Sequence, residues 1–544
     1  MKVFLVYVRD PQFYAIPAEK RAKSGRIRIM GFPPLGIMTL SAVLKRAGHE
    51  CVMFDQANPE TPDDVIIEEI RRQKPSLVGL SFLSTTSYPY AKILARRIRA
   101  ADLVVKIAFG GVFATLNGFR VKRSCPEVDF VCRGDGEDLI LDLLEHLDDP
   151  DTVAGVTWAE KGGEVRQNPD RPLLRDLDRY PFPDRESLPL DYIESMPLDV
   201  PAVLSLGRYT TMQTSRGCPW PCIFCDIPIF NEGKWRARGH DHVVEELKQL
   251  ERDGYESVFF VDDHFLLQPR RIDGMCRGIN DNKLKIQWGC EGRVDSKCMQ
   301  LFPAMAKANC RTLMFGIESG SQKILDRLKK EQTLEEIETA VNNAKKAGIE
   351  IVHGFFVVGN PDETEEDMRK TFRFASRIRI DSFGFNRLCV YRGTPLWAEY
   401  LKRGLVDDES DWYKYFKCSS IDPTVLPGEE IHRIRSEGMR RLILYKFARY
   451  PLQTLRLLKR FMRHMPLRDV AYLLVKPFLG KKSGATRAEV VSRAVEHQSF
   501  KSSAAALTQL TEEEQERAIL ALSESPPAAK IVQGESNRTI EPRP

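Results

Sequence analysis

Three closely spaced cysteines are the strongest chemical signal in this sequence. Cys218, Cys222 and Cys225 stand in the run Ser215-Arg216-Gly217-Cys218-Pro219-Trp220-Pro221-Cys222-Ile223-Phe224-Cys225. Soft thiolates favour iron–sulfur clusters, zinc or copper(I). A four-thiolate zinc site normally needs a second cysteine pair, and an electron-carrying ferredoxin supplies a fourth cysteine nearby; the sequence offers neither. The spacing therefore indicates a four-iron cluster with one iron open, with buried or zinc-binding cysteines as the alternative.

Two regions of alternating strand and helix patterns must position this loop, so the predicted fold class is α/β. Residues 1–150 carry five strand candidates with helices between them, which predicts a flavodoxin-like doubly wound sheet. Such sheets bind ligands beyond the carboxyl ends of their strands, where the strand order switches. Those predicted ends carry Asp55, Ser81, Gly110-Gly111 and Gly134.

A second alternation over residues 208–415 predicts a partial (β/α)6 barrel of the TIM type, in which chemistry sits at the C-terminal strand ends. The loop of Cys218 directly follows the first of these strands. The six strand candidates are 209–214, 257–261, 285–289, 312–316, 349–357 and 382–386. Residues 151–207, with the proline-rich run at 180–184, are predicted to be a linker.

The C-terminal part changes to a helical pattern. Residues 416–482 are predicted to be a basic helical region, and residues 483–544 a largely disordered tail. The basic amphipathic stretch at 432–482 has two interpretations: peripheral contact with an anionic membrane surface, or a helical bundle packed on the barrel. If the membrane contact exists, an apolar substrate is favoured.

Composition narrows the function classes. The 544 residues carry a formal net charge of +5 from 81 basic and 76 acidic side chains, so no global nucleic-acid footprint is indicated. No run approaches the roughly 20 apolar residues that cross a bilayer. Without such a run, and without a signal-peptide pattern at the N-terminus, a cytoplasmic location is expected by default, with peripheral contact at the inner face of the membrane as an option. Twelve dispersed cysteines in a long chain predict reduced thiols.

The cysteine motif resembles that of the radical S-adenosylmethionine (SAM) superfamily. In that family the three thiolates hold a four-iron four-sulfur cluster, SAM chelates the fourth iron, and reduction cleaves SAM to methionine and a 5′-deoxyadenosyl radical. The resemblance implies that Phe224 lies near the adenine and that Glu318 accepts ribose hydroxyls. Other strand-end positions that the resemblance implicates in cofactor binding are Arg293, Gly316, Ser319 and Gly359. Phe260-Val261-Asp262-Asp263 and Glu291-Gly292-Arg293-Val294-Asp295 also stand where the family places site residues.

The first region resembles the cobalamin-binding domain fused to many radical SAM enzymes. Small residues let the backbone approach a large flat corrin closely. The positions that match are Ser81, Leu83, Ser84, Gly110, Gly111, Gly134 and Glu137. The Asp-x-His-x-x-Gly motif, whose His ligates cobalt from below in the methionine synthase kind, is compared with residues 55–60; there Ala57 replaces the His. The alternative is a nucleotide-binding or purely structural flavodoxin-like domain.

Three functions follow from these resemblances. The first is methylation of an unactivated carbon of a lipid, tetrapyrrole or other natural product, with two SAM molecules consumed per product. The second is a cobalamin-dependent cyclase, oxidase or rearrangement enzyme that transfers no methyl group, like the anaerobic magnesium-protoporphyrin ester cyclase. The third is a cobalamin or redox sensor. The expected partners are a small-molecule substrate and an electron donor such as flavodoxin or ferredoxin, and no nucleic acid.

Overall fold

The computed structural model describes residues 1–9, 32–58, 61–83, 87–160, 162–188, 208–294, 296–409 and 426–464. Ser84, Asp295 and the predicted tail at 483–544 lie outside the described residues. Two sheets with helices around them form the framework, and a helical segment follows the second sheet.

The first sheet has seven strands in the order β2-β1-β3-β4-β5-β6-β7. Strands β1 to β5 are parallel, which confirms the flavodoxin-like doubly wound arrangement. The strands are β1 (Lys2–Tyr7), β2 (Glu50–Asp55), β3 (Leu77–Ser81), β4 (Lys106–Gly110), β5 (Phe130–Cys132), β6 (Val156–Ala159) and β7 (Val165–Gln167). The helices of this part are α1 (Leu35–Arg46), α2 (Asp63–Gln73), α3 (Tyr88–Ala100), α4 (Val112–Ser124) and α5 (Gly136–Glu145).

Alternation along β1 explains why this sheet is covered on both faces. Phe4 and Val6 belong to the apolar core on one side, and Val3 and Leu5 to the core on the other. Successive side chains of a strand point to opposite faces, so a run of four apolar residues builds two layers at once. The buried sheet then holds its strand ends at one edge.

Part of the predicted linker belongs to the first sheet. Strand β6 pairs antiparallel with β5, and β7 pairs antiparallel with β6, so residues 156–167 extend the sheet by a hairpin. The interpretation of the whole of 151–207 as a linker is therefore wrong for this stretch. The two strands are four and three residues long, too short for a clear alternation in the sequence.

The second sheet has six parallel strands in the order β15-β14-β13-β12-β11-β8, an open partial barrel as predicted. A separate antiparallel pair, β9 with β10, follows β8. The strands are β8 (Tyr209–Met212), β9 (Ser215–Arg216), β10 (Arg236–Ala237), β11 (Ser257–Phe260), β12 (Gln287–Gly292), β13 (Cys310–Glu318), β14 (Ile351–Val358) and β15 (Ser382–Arg387).

Helices cover the outer face of the barrel sheet. Two of them, α12 and α13, begin with capping boxes at Thr333 and Thr364, which satisfy otherwise unpaired backbone N–H groups. The helices are α6 (Ile227–Phe230), α7 (His240–Arg252), α8 (Pro269–Asp281), α9 (Ser296–Met299), α10 (Phe302–Lys307), α11 (Gln322–Arg327), α12 (Leu334–Lys346), α13 (Glu365–Arg377), α14 (Pro395–Lys402), α15 (Gly428–Arg449) and α16 (Pro451–His464).

The inner face of the barrel sheet carries its own apolar cluster. Phe259 on β11 and Met314 on β13 are buried together, whereas their neighbours along the strands join the core under the helices. Val261 and Phe355 pack against this cluster, and so does Phe32, which belongs to the first part of the chain. We call these five residues the inner apolar wall.

Helix α15 packs on the barrel. Ile431, Ile434 and Leu442 are part of the large barrel core, and Lys446 Nζ donates to the carbonyl of Ile378 at 2.6 Å. For residues 428–449 the structure therefore shows the second interpretation, a helical segment packed on the barrel. Within the described ranges, no helix is long and apolar enough to cross a membrane. Among the described cysteines all but Cys389 carry free thiols; Cys389 is disulfide-bonded, so the expectation of reduced thiols is wrong there.

Candidate functional site

The three cysteines lie on residues 217–235, here called the cysteine loop, which β9 and β10 close at its base. Gly217 begins the loop with φ +88°, a conformation that favours glycine, and a Cβ there would lie 2.1 Å from the carbonyl oxygen of Lys234. Its N–H donates to Asp263 Oδ2 at 2.7 Å. The start of the loop is thus fixed against both its own end and the strand end of β11.

Asp262 holds the strand end that leads into the loop. This fully buried carboxylate accepts from the backbone N–H of Thr214 at 2.6 Å and from the hydroxyls of Thr214 and Ser215 at 2.5 and 2.6 Å. Because buried carboxylates are costly unless hydrogen-bonded, this set ties β8 to β11 firmly. The Asp-Asp pair after β11 is therefore a support of the loop.

Arg293 at the end of β12 faces the thiols. Its Nη1 donates to Cys222 Sγ at 3.3 Å, and its guanidinium stacks 4.1 Å from the centre of the Trp220 ring. Burial raises the pKa of the Cys218 thiol, while Arg293 and Lys330 act to lower it. A cation beside the thiols favours their ionised form, which is the form that binds metal.

The donor set fits an iron–sulfur cluster. Two buried N–H donors at the loop, Trp220 Nε1 and Arg293 Nε, have no partner among the described residues, and an anionic acceptor beside them would satisfy both. In the described part of the chain, no three His, Cys, Asp or Glu side chains converge on one point that could hold a single ion. The thiolates of a four-iron cluster bind different irons, so such convergence is not needed.

The end of β13 carries a second charged feature. Glu318 adopts φ +66° at an irregularity in the pairing of β13 with β14, and Lys330 Nζ donates to its Oε1 at 2.7 Å. A Cβ on Gly316 would lie 2.8 Å from that same oxygen, so glycine makes room for the pair. A strained acidic residue at a barrel strand end suits a ligand contact.

Other predicted SAM-contacting residues have mainly internal contacts. Ser319 is buried and its hydroxyl lies 3.1 Å from Thr371 Oγ1. Gly359 has φ +79° and donates its N–H to Glu363 Oε2 at 2.7 Å. Phe224 packs against an apolar cluster that includes Trp397. Their predicted contacts with SAM stay predictions.

A cavity of about 450 Å³ lies between the first sheet and the cysteine loop. Its lining is mostly apolar and comes from both parts of the chain. From the first part, the predicted cofactor residues that line it are Ser81, Leu83, Gly110, Gly111, Gly134 and Glu137. From the barrel part, the lining includes Ser215, Arg216, Asp226, Ile227, Phe230, Asn231 and Asp263. The volume is typical of cofactor pockets.

Glycines at the strand ends open this cavity. A Cβ built on Gly110 or on Gly134 would meet no atom within 4 Å, so the backbone there is free to approach a ligand. Gly111 has another role: its φ is +105° and a Cβ would lie 2.2 Å from the carbonyl oxygen of Phe82. The chain thus packs closely at Gly111 and stays open at Gly110 and Gly134, as a flat cofactor requires.

Two acidic side chains near the cysteine loop have raised pKa values, and one of them, Asp263, lines the cavity. Burial raises the pKa of Asp263 to about 6. Burial, together with the nearby Asp263 and Asp262 carboxylates, raises the pKa of Glu291 to about 7. These groups can carry protons near neutral pH, which ordinary carboxyls do not.

The comparison of residues 55–60 with a cobalt-ligating motif is wrong in position. These residues follow β2, which is the edge strand of the first sheet, and the described ones do not line the cavity. The switch in strand order lies between β1 and β3, so the carboxyl ends of these two strands are where a sheet of this kind binds a ligand. In the sequence, residues 8–34, which follow β1, contain no histidine.

Sequence reasoning missed the charged contacts between the two parts of the chain. Glu137, predicted to bind cofactor, accepts hydrogen bonds from Arg216. Arg216 also donates to Asp135, the residue before α5. No spacing rule could find this pair, because the partners lie about eighty residues apart. Residues 180–183 of the predicted linker also reach the cavity, through Tyr180, Pro181 and Pro183.

Comparison with known proteins finds the same two units. A model of the radical SAM superfamily matches residues 212–375, and a model of the B12 binding domain matches residues 31–144. An uncharacterized methyltransferase of Pyrococcus horikoshii is 30% identical over 436 residues, covering 79% of this chain and 90% of the relative. The anaerobic magnesium-protoporphyrin IX monomethyl ester cyclase of Rubrivivax gelatinosus is 26% identical over 447 residues, covering 79% of this chain and 77% of the relative.

A solved structure shares the fold. The radical S-adenosylmethionine methyltransferase TsrM of Kitasatospora setae, with cobalamin and a four-iron four-sulfur cluster bound, superposes with a TM-score of 0.60. Its sequence identity is 18%, and the match covers 74% of this chain and 78% of that chain. The likeness confirms the order of a doubly wound domain followed by a partial barrel.

Proposed function

This chain belongs to the radical SAM superfamily and carries an N-terminal B12-binding domain, and we propose that it methylates an unactivated carbon of an apolar substrate. The observation that carries the proposal is the shared cavity. Strand ends of the first domain form one side of it and the cysteine loop forms the other. Cofactors bound at the strand ends and at the cysteine loop would lie on opposite sides of this cavity.

When bound, the iron–sulfur cluster supplies the electron that cleaves SAM, and cobalamin carries the methyl group. The residues of this chain bind and orient these groups. Cys218, Cys222 and Cys225 would hold three irons, with Arg293 balancing the thiolate charge at Cys222. Glu318, oriented by Lys330, would accept hydrogen bonds from SAM hydroxyls. Gly110 and Gly134 would let the backbone approach the corrin.

The inner apolar wall supports an apolar substrate. Phe259, Met314 and Phe355 come from three strands of the barrel sheet, and Phe32 packs against them. Aromatic and thioether side chains offer large apolar area and few polar partners. A hydrocarbon or ring system would therefore lose little favourable hydration on binding there. A highly charged substrate would lose much more, because its charges would leave water for an apolar surface.

We expect reduced, anaerobic holoprotein mixed with SAM to form S-adenosylhomocysteine, about one molecule per bound cobalamin, before any substrate is added. Methyl transfer from SAM to the carrier leaves this product, and it needs no knowledge of the substrate. Liquid chromatography with mass detection measures it. Deuterium from methyl-labelled SAM should later appear in the product. Formation of 5′-deoxyadenosine with no S-adenosylhomocysteine would contradict the methyltransferase proposal.

A cyclase-type reaction is the second candidate. The relation to the magnesium-protoporphyrin ester cyclase, over 79% of this chain, favours it. Such an enzyme would use both cofactors without transferring a methyl group to the product. In the same assay it would release 5′-deoxyadenosine and give a product with no added methylene unit.

We also propose that cobalamin binds without a histidine below the metal. Residues 8–34, which follow β1, contain no histidine, and the histidine in the described cavity lining, His242, comes from the barrel part and not from the B12-binding domain. The bound cofactor should then show the visible spectrum of the base-off form at neutral pH. A base-on or histidine-ligated spectrum would contradict this expectation. An electron donor such as flavodoxin or ferredoxin, and membrane contact through 432–482, stay predictions.

A further inference from the structure

Two arginines that flank the cysteine loop bind one carboxylate of the cobalamin-binding domain. Arg216 precedes the loop and Arg236 follows it, and the two are register partners in the β9–β10 pair. Arg216 Nη1 donates to Asp135 Oδ1 at 2.9 Å, and Arg236 Nη1 donates to Asp135 Oδ2. The two ends of the loop are therefore attached to the two oxygens of a single side chain.

Glu137 adds a second attachment. Both terminal nitrogens of Arg216 donate to the Glu137 carboxylate, so this arginine engages two acids of the same turn. The side chains are largely shielded from water, with exposures of 5% for Glu137, 12% for Asp135 and 7% for Arg236. Removing one member of a buried charge set leaves the others uncompensated, so such contacts hold their geometry firmly.

These contacts lie at the cavity itself and close to the first cysteine of the loop. Asp135 follows Gly134, and both line the cavity. Arg216 lies two residues before Cys218 and lines the cavity as well. The same few atoms therefore connect the wall proposed for cobalamin with the loop proposed for the cluster.

We infer that Asp135 and Glu137 are positioning residues that fix the cysteine loop, and with it the cluster, at a set distance and orientation from cobalamin. The inference rests on the proposed function, because it assumes that cobalamin occupies the cavity. The proposed reaction removes a hydrogen atom from one carbon and then adds a methyl group to it. Both cofactors must therefore be closely aligned with that carbon. A misplacement of about 1 Å in such sites costs on the order of a hundredfold in rate.

The chain offers a matched control contact between its two parts. Arg120 on α4 donates to Asp408 at 2.7 Å, and Arg392 donates to the same carboxylate at 2.8 and 2.9 Å. This set also joins the first domain to the barrel part, but none of its three residues lies on the cysteine loop or lines the cavity. Loss of Asp408 therefore tests domain docking alone.

The experiment compares the full-length holoprotein with its Asp135→Asn, Arg236→Lys and Asp408→Asn variants. Each is reconstituted with iron and sulfide, loaded with cobalamin and reduced so that cluster and cob(II)alamin are both paramagnetic. Pulsed electron paramagnetic resonance then measures the magnetic interaction between the two centres, which falls steeply with their separation. Iron and cobalamin contents report cofactor loading independently.

We expect Asp135→Asn and Arg236→Lys to keep the cluster signal but to show a shifted and broadened interaction, and Asp408→Asn to match the parent. Arg236 does not line the cavity, so Arg236→Lys decides the outcome if Asp135→Asn loses cobalamin. Unchanged interaction in both variants, or equal change in Asp408→Asn, would overturn the inference. If S-adenosylhomocysteine never forms while the interaction still shifts in the first two variants, the proposed methyl transfer fails and the positioning role stands.

Discussion

Cys222→Ala is expected to abolish reductive SAM cleavage and to remove the four-iron cluster. Cys222 is the thiol that Arg293 contacts, and its loss leaves an iron corner without a protein ligand and a buried cation without its acceptor. Deoxyadenosine formation under reducing, anaerobic conditions should fall to the level without enzyme. Iron content and the low-temperature spin signal of the reduced cluster should fall with it.

Cys276→Ala provides the control for a general effect of removing a thiol. Cys276 is buried in the barrel core on α8, away from the cysteine loop. Its loss should cost stability by about 1 kcal/mol and leave iron content and SAM cleavage unchanged. If Cys222→Ala instead retained a full cluster and wild-type SAM cleavage, Cys222 would not be a cluster ligand.

Gly110→Leu is expected to eliminate cobalamin binding while the cluster and the fold persist. A Cβ at Gly110 meets no protein atom within 4 Å, so the larger side chain can be accommodated, but Gly110 lines the cavity. Filling that space removes the room for a corrin. Even a modest steric penalty of about 1–3 kcal/mol weakens cobalamin binding roughly 5- to 150-fold, and a leucine side chain in this space overlaps the corrin more than modestly. Visible absorbance of cobalamin after gel filtration measures the loss.

Gly162→Leu adds the same side chain in the β6–β7 connection, where a Cβ also meets nothing within 4 Å and which does not line the cavity. This variant should bind cobalamin as the parent does. Iron content should be unchanged in both variants. Full cobalamin retention in Gly110→Leu would place the cofactor elsewhere and contradict the account of the cavity.

The sequence was sufficient to predict the elements whose signals are local. The cysteine spacing and the six barrel strands are local patterns, and the family comparisons and the topology agree with the radical SAM assignment and with the partial barrel. Strand ends such as Gly110 were also predictable, since glycine at the end of a buried strand signals close approach. The structure brings six of the seven predicted cobalamin residues to one cavity; Ser84 lies outside the described residues.

Features that depend on long-range neighbours were not predictable. The attachment of Arg216 to Asp135 joins residues far apart in sequence, and neither the cysteine motif that contains Arg216 nor the strand-end run that contains Asp135 indicates a contact with the other. Lys330 could not be assigned to Glu318 because a helix, α11, separates them and the sequence does not show how the chain returns after it. The position of residues 55–60 relative to the ligand site was not predictable either, because only the strand pairing shows that β2 is an edge strand.

The most direct test of the central claim is the spin signal of the reduced cluster with and without SAM. The protein is reconstituted anaerobically with iron and sulfide, reduced, and frozen for electron paramagnetic resonance. An open iron held by Cys218, Cys222 and Cys225 predicts a four-iron signal whose shape changes when SAM is added. A protein that forms no cluster, or a cluster whose signal is the same with and without SAM, would contradict the assignment of this chain as a radical SAM enzyme.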